Sequence, residues 1–575
     1  MGKRIVAAIL GTLFVLMCVV GCGKTDQAPK QQAAAEKPKR DVIASQGVVA
    51  AAHPIAAQIG VDVLKKGGNA IDAAIATSFA LGVVEPANSG IGGGGFAIVY
   101  VAKEKKSYVV DFRETAPAKA KPDMYKLDEK GLVINNASKV GYKAVAVPGH
   151  IRGMEMLLQK FGTMQWADLI QPSIQEAEKG LTVPSVLNRA LTEDLGNVNN
   201  SPAKEWMHKV YYKGGLPSEI GDQVKNPELV ETLKKIASGG ADVFYKGDIA
   251  NAIVKEFTKP GAEEWITKED LENYKPILRE PVRGDYRGYT FVTLPPPSSG
   301  GVIMLEMLNI LSGYDVAKMG AGSADFLQAS IETQKLAFAD RAKYMADPDF
   351  RKMPLVGLGS KEYAEERRSM IDLQKAKDNV KAGMPGKYES GNTTSFSVID
   401  KEGNMVTITQ TINDFLGACV VPEGTGILLN DEMDDFTPKP DSPNCPEAGK
   451  RPLSSMSPTI VLKDGNPFMT LGSPGATRIL TAVTNTVINV LDFKMDIQSA
   501  IDAPRFHNTN SPQTWVESGL MTEEVAKALE SRGQKFEVKQ PMDLYFGGVH
   551  GIMILPDGKL HGGADSRRDG CAIGY

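Results

Sequence analysis

The chain has 575 residues, 42% of them hydrophobic and 23% charged, with a formal net charge of −4. That length can bury a large core and by itself suggests several domains, while the near-balanced charge offers no footing for nucleic acid as a partner. The 34 prolines and 58 glycines, without any internal period, suit a loop-rich enzyme better than a repeat protein.

At the N-terminus Lys3 and Arg4 precede an apolar run from Ile5 to Val20, which ends at Gly21-Cys22. A basic stretch, a short apolar core and small residues make an export signal. The run is shorter than the about 20 residues a membrane-spanning helix needs. A cysteine at the cleavage point resembles the lipobox of bacterial lipoproteins. That resemblance implies that residues 1–21 are removed as a lipoprotein signal peptide and that Cys22 becomes a diacylated first residue. The enzyme would then be exported and periplasm-facing, anchored in the inner or outer membrane, and two acyl chains suffice for stable anchoring. Residues 22–41, rich in Gln, Ala, Lys and Pro, read as a disordered tether. Cys419, Cys445 and Cys571 are odd in number, and neither they nor the histidines show metal-ligand spacing, so no disulfide framework, metal or cofactor is expected.

Apolar spacing from Val42 to Ala74 predicts helices, and Ala73 to Val84, small and apolar nearly all round, predicts a buried one. The glycine loop Gly90 to Gly95 lacks the strand–loop–helix pattern of a phosphate cradle and reads as close backbone packing. Phe96–Val101 and Ser107–Phe112 predict a strand pair that leaves Arg113 at a strand end. Residues 150–290 carry helical patches, and a long helix from Ala324 to Ala346 follows Ser323 as its N-cap. Later strand pairs turn at Lys463-Asp464-Gly465-Asn466 and Pro556-Asp557-Gly558, with helices near Leu480–Phe493 and Glu523–Arg532.

Between them lies the stretch around which the chain is organised. A Gly- and Lys-rich run stops at Asn392, and Thr393-Thr394-Ser395-Phe396-Ser397-Val398-Ile399 begins a strand at once. A three-residue loop, Lys401-Glu402-Gly403 with Gly403 left-handed, pairs Asp400 with Asn404. Counting back, Thr393 falls opposite Thr411, with Asn413 two residues on and expected on the same side of the sheet.

Downstream, Gly426 to Phe436 (GILLNDEMDDF), Lys450 to Thr459 (KRPLSSMSPT) and Gly472 to Arg478 (GSPGATR) are dense in polar and turn residues. With His53-Pro54, Gly67 to Ala74 (GGNAIDAA), Gly92 to Phe96 (GGGGF), Asp111 to Glu114 (DFRE) and Pro295 to Gly301 (PPPSSGG), they resemble the γ-glutamyltransferase (γ-glutamyltranspeptidase, glutathione hydrolase) family over roughly residues 42 to 575.

The resemblance implies an α+β fold, the four-layer αββα sandwich of N-terminal-nucleophile hydrolases. It also implies autocatalytic cleavage at Asn392-Thr393 into a large part (42–392) and a small part (393–575) that remain together as a heterodimer. The chemistry is physically sensible: scission gives Thr393 a free α-amine, with an ordinary pKa of about 7.7 to 8.0, beside its own hydroxyl as nucleophile. Thr411 would orient that hydroxyl, and the backbone amides of Gly475 and Ala476 would stabilise the oxyanion. The family has a second glycine where Ala476 stands, so the match requires that position 476 not need a positive φ. Arg113, helped by the Ser454 and Ser455 hydroxyls, suits a substrate α-carboxylate, and Asn413, Glu432 and Asp435 suit its ammonium. The donor would be glutathione or another γ-glutamyl compound, and the acceptor water, an amino acid or a peptide. Residues 437–449, short and without an aromatic, depart from the longer lid of many relatives and predict a more open site. The alternatives are a cephalosporin or glutaryl acylase of the same fold, and a solute-binding lipoprotein.

Overall fold

A computed structural model gives the architecture and describes residues 40–378, 380–381 and 393–575. The leader, Cys22, most of the tether and Asn392 lie outside the described residues. Order begins slightly earlier than the sequence suggests: the Arg40 guanidinium already donates to the carbonyls of Arg568 (2.6 Å) and Gly570 (2.9 Å).

Two seven-stranded antiparallel sheets form the centre. The first runs, in spatial order, Cys571–Gly574, Val48–Ala51, Thr394–Ile399, Met405–Thr411, Gly94–Val101, Lys106–Asp111 and Ile277–Arg279. The second runs Val42–Ala44, Leu560–Ala564, His550–Ile554, Asn466–Gly472, Thr459–Lys463, Tyr289–Thr293 and Val282–Tyr286. Helices Pro54–Lys65 and Ala70–Val84 cover the outer face of the first sheet, and Gly300–Leu311, Arg478–Leu491 and Ile497–Asp502 cover the outer face of the second. This is the expected αββα sandwich.

Residues 42–51 correct one expectation, since Val42–Ala44 and Val48–Ala51 are strands and helix starts only at Pro54. A short apolar run reads equally as a buried strand or a buried helix, and here both faces of Val48–Ala51 are covered. The other predicted elements stand. Ala70–Val84 is buried along almost its whole length and opens with a capping box between Asn69 and Asp72. Ala324–Tyr344 is capped by the Ser323 hydroxyl, which accepts from the Phe326 amide.

The predicted hairpin holds its register. Thr394 pairs with Gln410 and Ile399 with Met405, the Asp400 amide donates to the Asn404 carbonyl at 3.2 Å, and Gly403 has φ +83°. Alternation then sorts the strand by face. Phe396 and Val398 point into the helix layer. Ser395 and Ser397 point between the sheets, where they bond to Thr409 and Thr407 and, from Ser397, to the His550 carbonyl of the opposite sheet. Gly472 lets the second sheet close here, because a Cβ on it would stand 2.4 Å from the Ser395 hydroxyl oxygen.

Under the helix layer the strand side chain of Gln410 is held by Ser78, whose hydroxyl is also 2.8 Å from His150 Nε2. Burial lowers the His150 pKa to about 4, with Gln410 pulling weakly the other way. A histidine whose folded pKa lies below its unfolded value takes up a proton in the unfolded chain first, so its contribution to stability is lost as pH falls from about 6.5 towards 4. The stability gap between wild type and His150→Gln should therefore narrow by about 2 kcal/mol between neutral pH and about pH 4.5, measured by denaturant unfolding at both pH values. A gap independent of pH would show that burial does not lower the imidazole's pKa in the folded state.

Candidate active site

The candidate site lies where the hairpin strands end, between the two sheets. Thr393 directly precedes the strand and is buried, 4% exposed. Extending the Thr394–Gln410 pairing by one step carries it opposite Thr411, as the sequence predicted. The Thr411 hydroxyl accepts from the Asn413 amide at 2.8 Å. Asn413 itself corrects the simple alternation: the strand stops at Thr411, Asn413 turns away with φ +73°, and its side chain donates to the Asp431 carbonyl at 3.2 Å. The neighbouring glycine loop is close packing, as expected, for a Cβ on Gly93 would stand 1.8 Å from the Thr411 carbonyl oxygen.

Gly475 and Ala476 turn the chain from strand Asn466–Gly472 into helix Arg478–Leu491. The condition set by the sequence is not met, since Ala476 has φ +52° and Gly475 φ +124°. An alanine in this left-handed region is strained by about 1 kcal/mol, which the flanking bonds Arg478 N to Gly475 O (3.0 Å) and Ile479 N to Ala476 O (3.0 Å) hold in place. The backbone amides keep the glycine-like turn.

Arg113 sits just past strand Lys106–Asp111, its amide held by the Asp111 carboxylate at 3.0 Å and its carbonyl by the Tyr274 hydroxyl at 2.9 Å. Its guanidinium is buried and is gripped by Glu432 and Asp435, with Nε on the Pro452 carbonyl at 3.3 Å and Glu114 at 3.9 Å. Three carboxyl groups thus face one cation. Burial pushes Glu432 well above the usual carboxylate range and Glu114 up to about 7, with Arg113 opposing both. Burial also works against the Arg113 charge, but Glu432, Asp435 and Glu114 together outweigh it and raise its pKa. Asp435, 23% exposed at its side chain, is the member that solvent reaches.

Ser454 and Ser455 are brought to the same segment, though not directly onto Arg113. The Ser454 hydroxyl accepts from the Met456 amide at 3.1 Å, and the Ser455 hydroxyl accepts from Arg341 at 2.9 Å. Each still has its own proton to donate. Ser299 straps the segment down, its amide and hydroxyl both reaching the Ser454 carbonyl. Residues 437–449 fold back compactly: Asn444 bonds to the Asp435 carbonyl, and buried Lys450 holds the carbonyls of Pro443 and Cys445.

Sequence reasoning missed Glu114, Arg341 and Asn430, the last of which bridges the Gly92 and Ala146 carbonyls and fixes the Glu432 amide. Glu114 and Asn430 stood inside motifs already singled out, so a buried carboxyl next to the arginine was the available signal.

The γ-glutamyltranspeptidase family model matches residues 56–575. The chain belongs to that family. It is 42% identical to the glutathione hydrolase proenzyme of Escherichia coli (strain K12), covering 93% of each chain. It is also 40% identical to the acylase ACY 1 proenzyme of Pseudomonas sp. (strain SE83), covering 93% of this chain and 94% of that one. Among solved structures it superposes on a cephalosporin acylase from Bacillus halodurans with TM-score 0.85 and 31% identity, over 95% of this chain and 98% of that one. It also resembles the γ-glutamyltranspeptidase of Helicobacter pylori, with TM-score 0.55 and 39% identity, over 59% of this chain and 95% of that one.

Replacing Ala476 by Gly removes a Cβ from a left-handed position. The variant should unfold at higher denaturant, by about 1 kcal/mol, with its enzymatic turnover retained. Equal or lower stability would show that the turn is not strained.

Proposed function

We propose that the protein is a γ-glutamyltransferase and glutathione hydrolase that uses Thr393 as an N-terminal nucleophile after cleavage of the Asn392–Thr393 bond. The observation that carries this reading is the placement of Thr393 at the start of a buried strand, opposite Thr411, in a fold that also holds a glycine-like turn at Gly475 and Ala476 and an arginine ringed by carboxyl groups. The freed amine takes the proton of the Thr393 hydroxyl as it attacks the γ-carbonyl, and Thr411 orients that hydroxyl. Backbone amides at 475 and 476 meet the developing oxyanion. The amine component leaves, and water or an acceptor amine then attacks the γ-glutamyl-threonine ester.

The charge distribution explains why the donor head group would be glutamyl. A free α-amino acid end is a zwitterion, so its carboxylate can displace the acids on Arg113 while its ammonium is taken up by Glu432, Asp435 and the Asn413 side chain. The Ser454 and Ser455 hydroxyls donate to the same carboxylate. A glutaryl chain lacks the ammonium and would leave Glu432 and Asp435 without a second cation. We also place the enzyme on the periplasmic side of a membrane, through the lipid on Cys22 that the leader implies.

Intact-mass analysis of the purified protein should show two chains, the smaller beginning at Thr393, and a single uncut chain for Thr393→Ala. With γ-glutamyl-p-nitroanilide the wild type should turn over at least about 100-fold faster than with glutaryl-p-nitroanilide. Arg113→Lys should raise KM by about tenfold or more through loss of the bidentate contact. Preference for the glutaryl substrate would favour the acylase reading, and an uncut chain with full turnover would overturn the mechanism.

A further inference from the structure

The start of the nucleophile strand has a gap in its ladder. Strand Val48–Ala51 pairs with Ser397, Val398 and Ile399 but does not extend beside Thr393 and Thr394, which have the Met405–Thr411 strand on their other edge only. The Thr393 carbonyl is nevertheless bonded: Arg568 Nη1 donates to it at 3.1 Å. The same nitrogen lies 3.6 Å from Glu85 Oε1, and Glu85 Oε2 accepts from the Thr394 hydroxyl at 2.5 Å. Asn88 adds a bond to Glu85 Oε1 at 3.0 Å. Arg568 and Glu85 thus close a ring around residues 393 and 394. Gly548 makes room for it, because a Cβ there would stand 2.6 Å from the arginine side chain.

Both charges are buried, 3% and 5% exposed. A buried pair of this kind contributes little net stability over an apolar one, so stability alone does not account for a cation at this one carbonyl. We propose, resting on Thr393 as the nucleophile, that Arg568 held by Glu85 is a positioning residue for the reaction. It supplies the donor that the missing strand would have given, so that Thr393 stays in register once no peptide bond tethers it on its N-terminal side. Its charge stands nearer to residue 393 than that of Glu85 does, which favours the unprotonated, basic form of the liberated amine. The other charged groups around this ring are Asp565, Asp569 and Arg478 towards Arg568, Asp569 towards Glu85, and His550 and Arg40 behind them.

The test uses full-length protein and γ-glutamyl-p-nitroanilide, with kcat and KM followed on both sides of the amine's ordinary pKa of about 7.7 to 8.0. Arg568→Met should lower kcat by about tenfold or more with KM changed by less than about threefold. The acid limb of its kcat/KM profile should move up by about half a unit to one unit. Arg568→Lys, which keeps the charge, should restore the acid limb and part of kcat. Thr394→Val, which releases Glu85 without touching either charge, should lower kcat and leave the limb in place. Arg568→Met with wild-type kcat and an unmoved limb would overturn the proposal. If Arg568→Met fails to fold, the proposal falls should Arg568→Lys and Thr394→Val both keep wild-type kcat. Wild type and Thr393→Ala in the same assay separate the two levels: an inactive wild type refutes the γ-glutamyl reading, whereas an active one with indifferent Arg568 variants refutes only this inference.

Discussion

The structure depends on one pairing, strand Thr394–Ile399 against strand Met405–Thr411, in a register fixed by the left-handed Gly403. Because side chains alternate, a slip of one residue would turn Phe396 and Val398 towards the opposite sheet and Ser395 and Ser397 into the helix layer. The hydroxyl lining between the sheets leaves no such freedom, since Ser397 reaches across to the His550 carbonyl and Gly472 lies against Ser395. Thr393 therefore stands at a defined face and depth, and the Gly475–Ala476 turn follows strand Asn466–Gly472 of the second sheet.

Around that fixed point the molecule accumulates buried charge, which a core avoids unless it is matched. Arg113 faces Glu114, Glu432 and Asp435, an imbalance that disfavours the carboxylates and leaves the pocket short of positive charge. On the function proposed above, an amino acid head group would supply both a cation for the acids and an anion for the arginine. On that proposal the arrangement would differ from one built for a chain with no amine, a distinction that overall fold similarity to an acylase cannot make.

Much of this was legible in the sequence because it depends on local chemistry. The hairpin register follows from the turn residues Asp400 to Asn404, and the helix cap at Ser323 follows from a side chain that reaches its own backbone. The contiguous motifs brought Arg113, Glu432, Asp435 and the Ser454-Ser455 pair into one list. What stayed hidden depends on approach through space. Val48–Ala51 reads as helix until a sheet covers both faces. Arg341 reaches Ser455 from a helix more than a hundred residues away, and Arg568 reaches Thr393 from nearly the end of the chain. The left-handed Ala476 was recognised as a question, but only backbone coordinates answer it.

The central claim is that the acyl group passes through the hydroxyl of Thr393. Acid quenching of the enzyme during turnover of γ-glutamyl-p-nitroanilide, followed by peptide mapping, addresses it directly. The account predicts a γ-glutamyl ester on the peptide that begins at Thr393, chased away by added acceptor amine. A γ-glutamyl adduct on any other residue would contradict it.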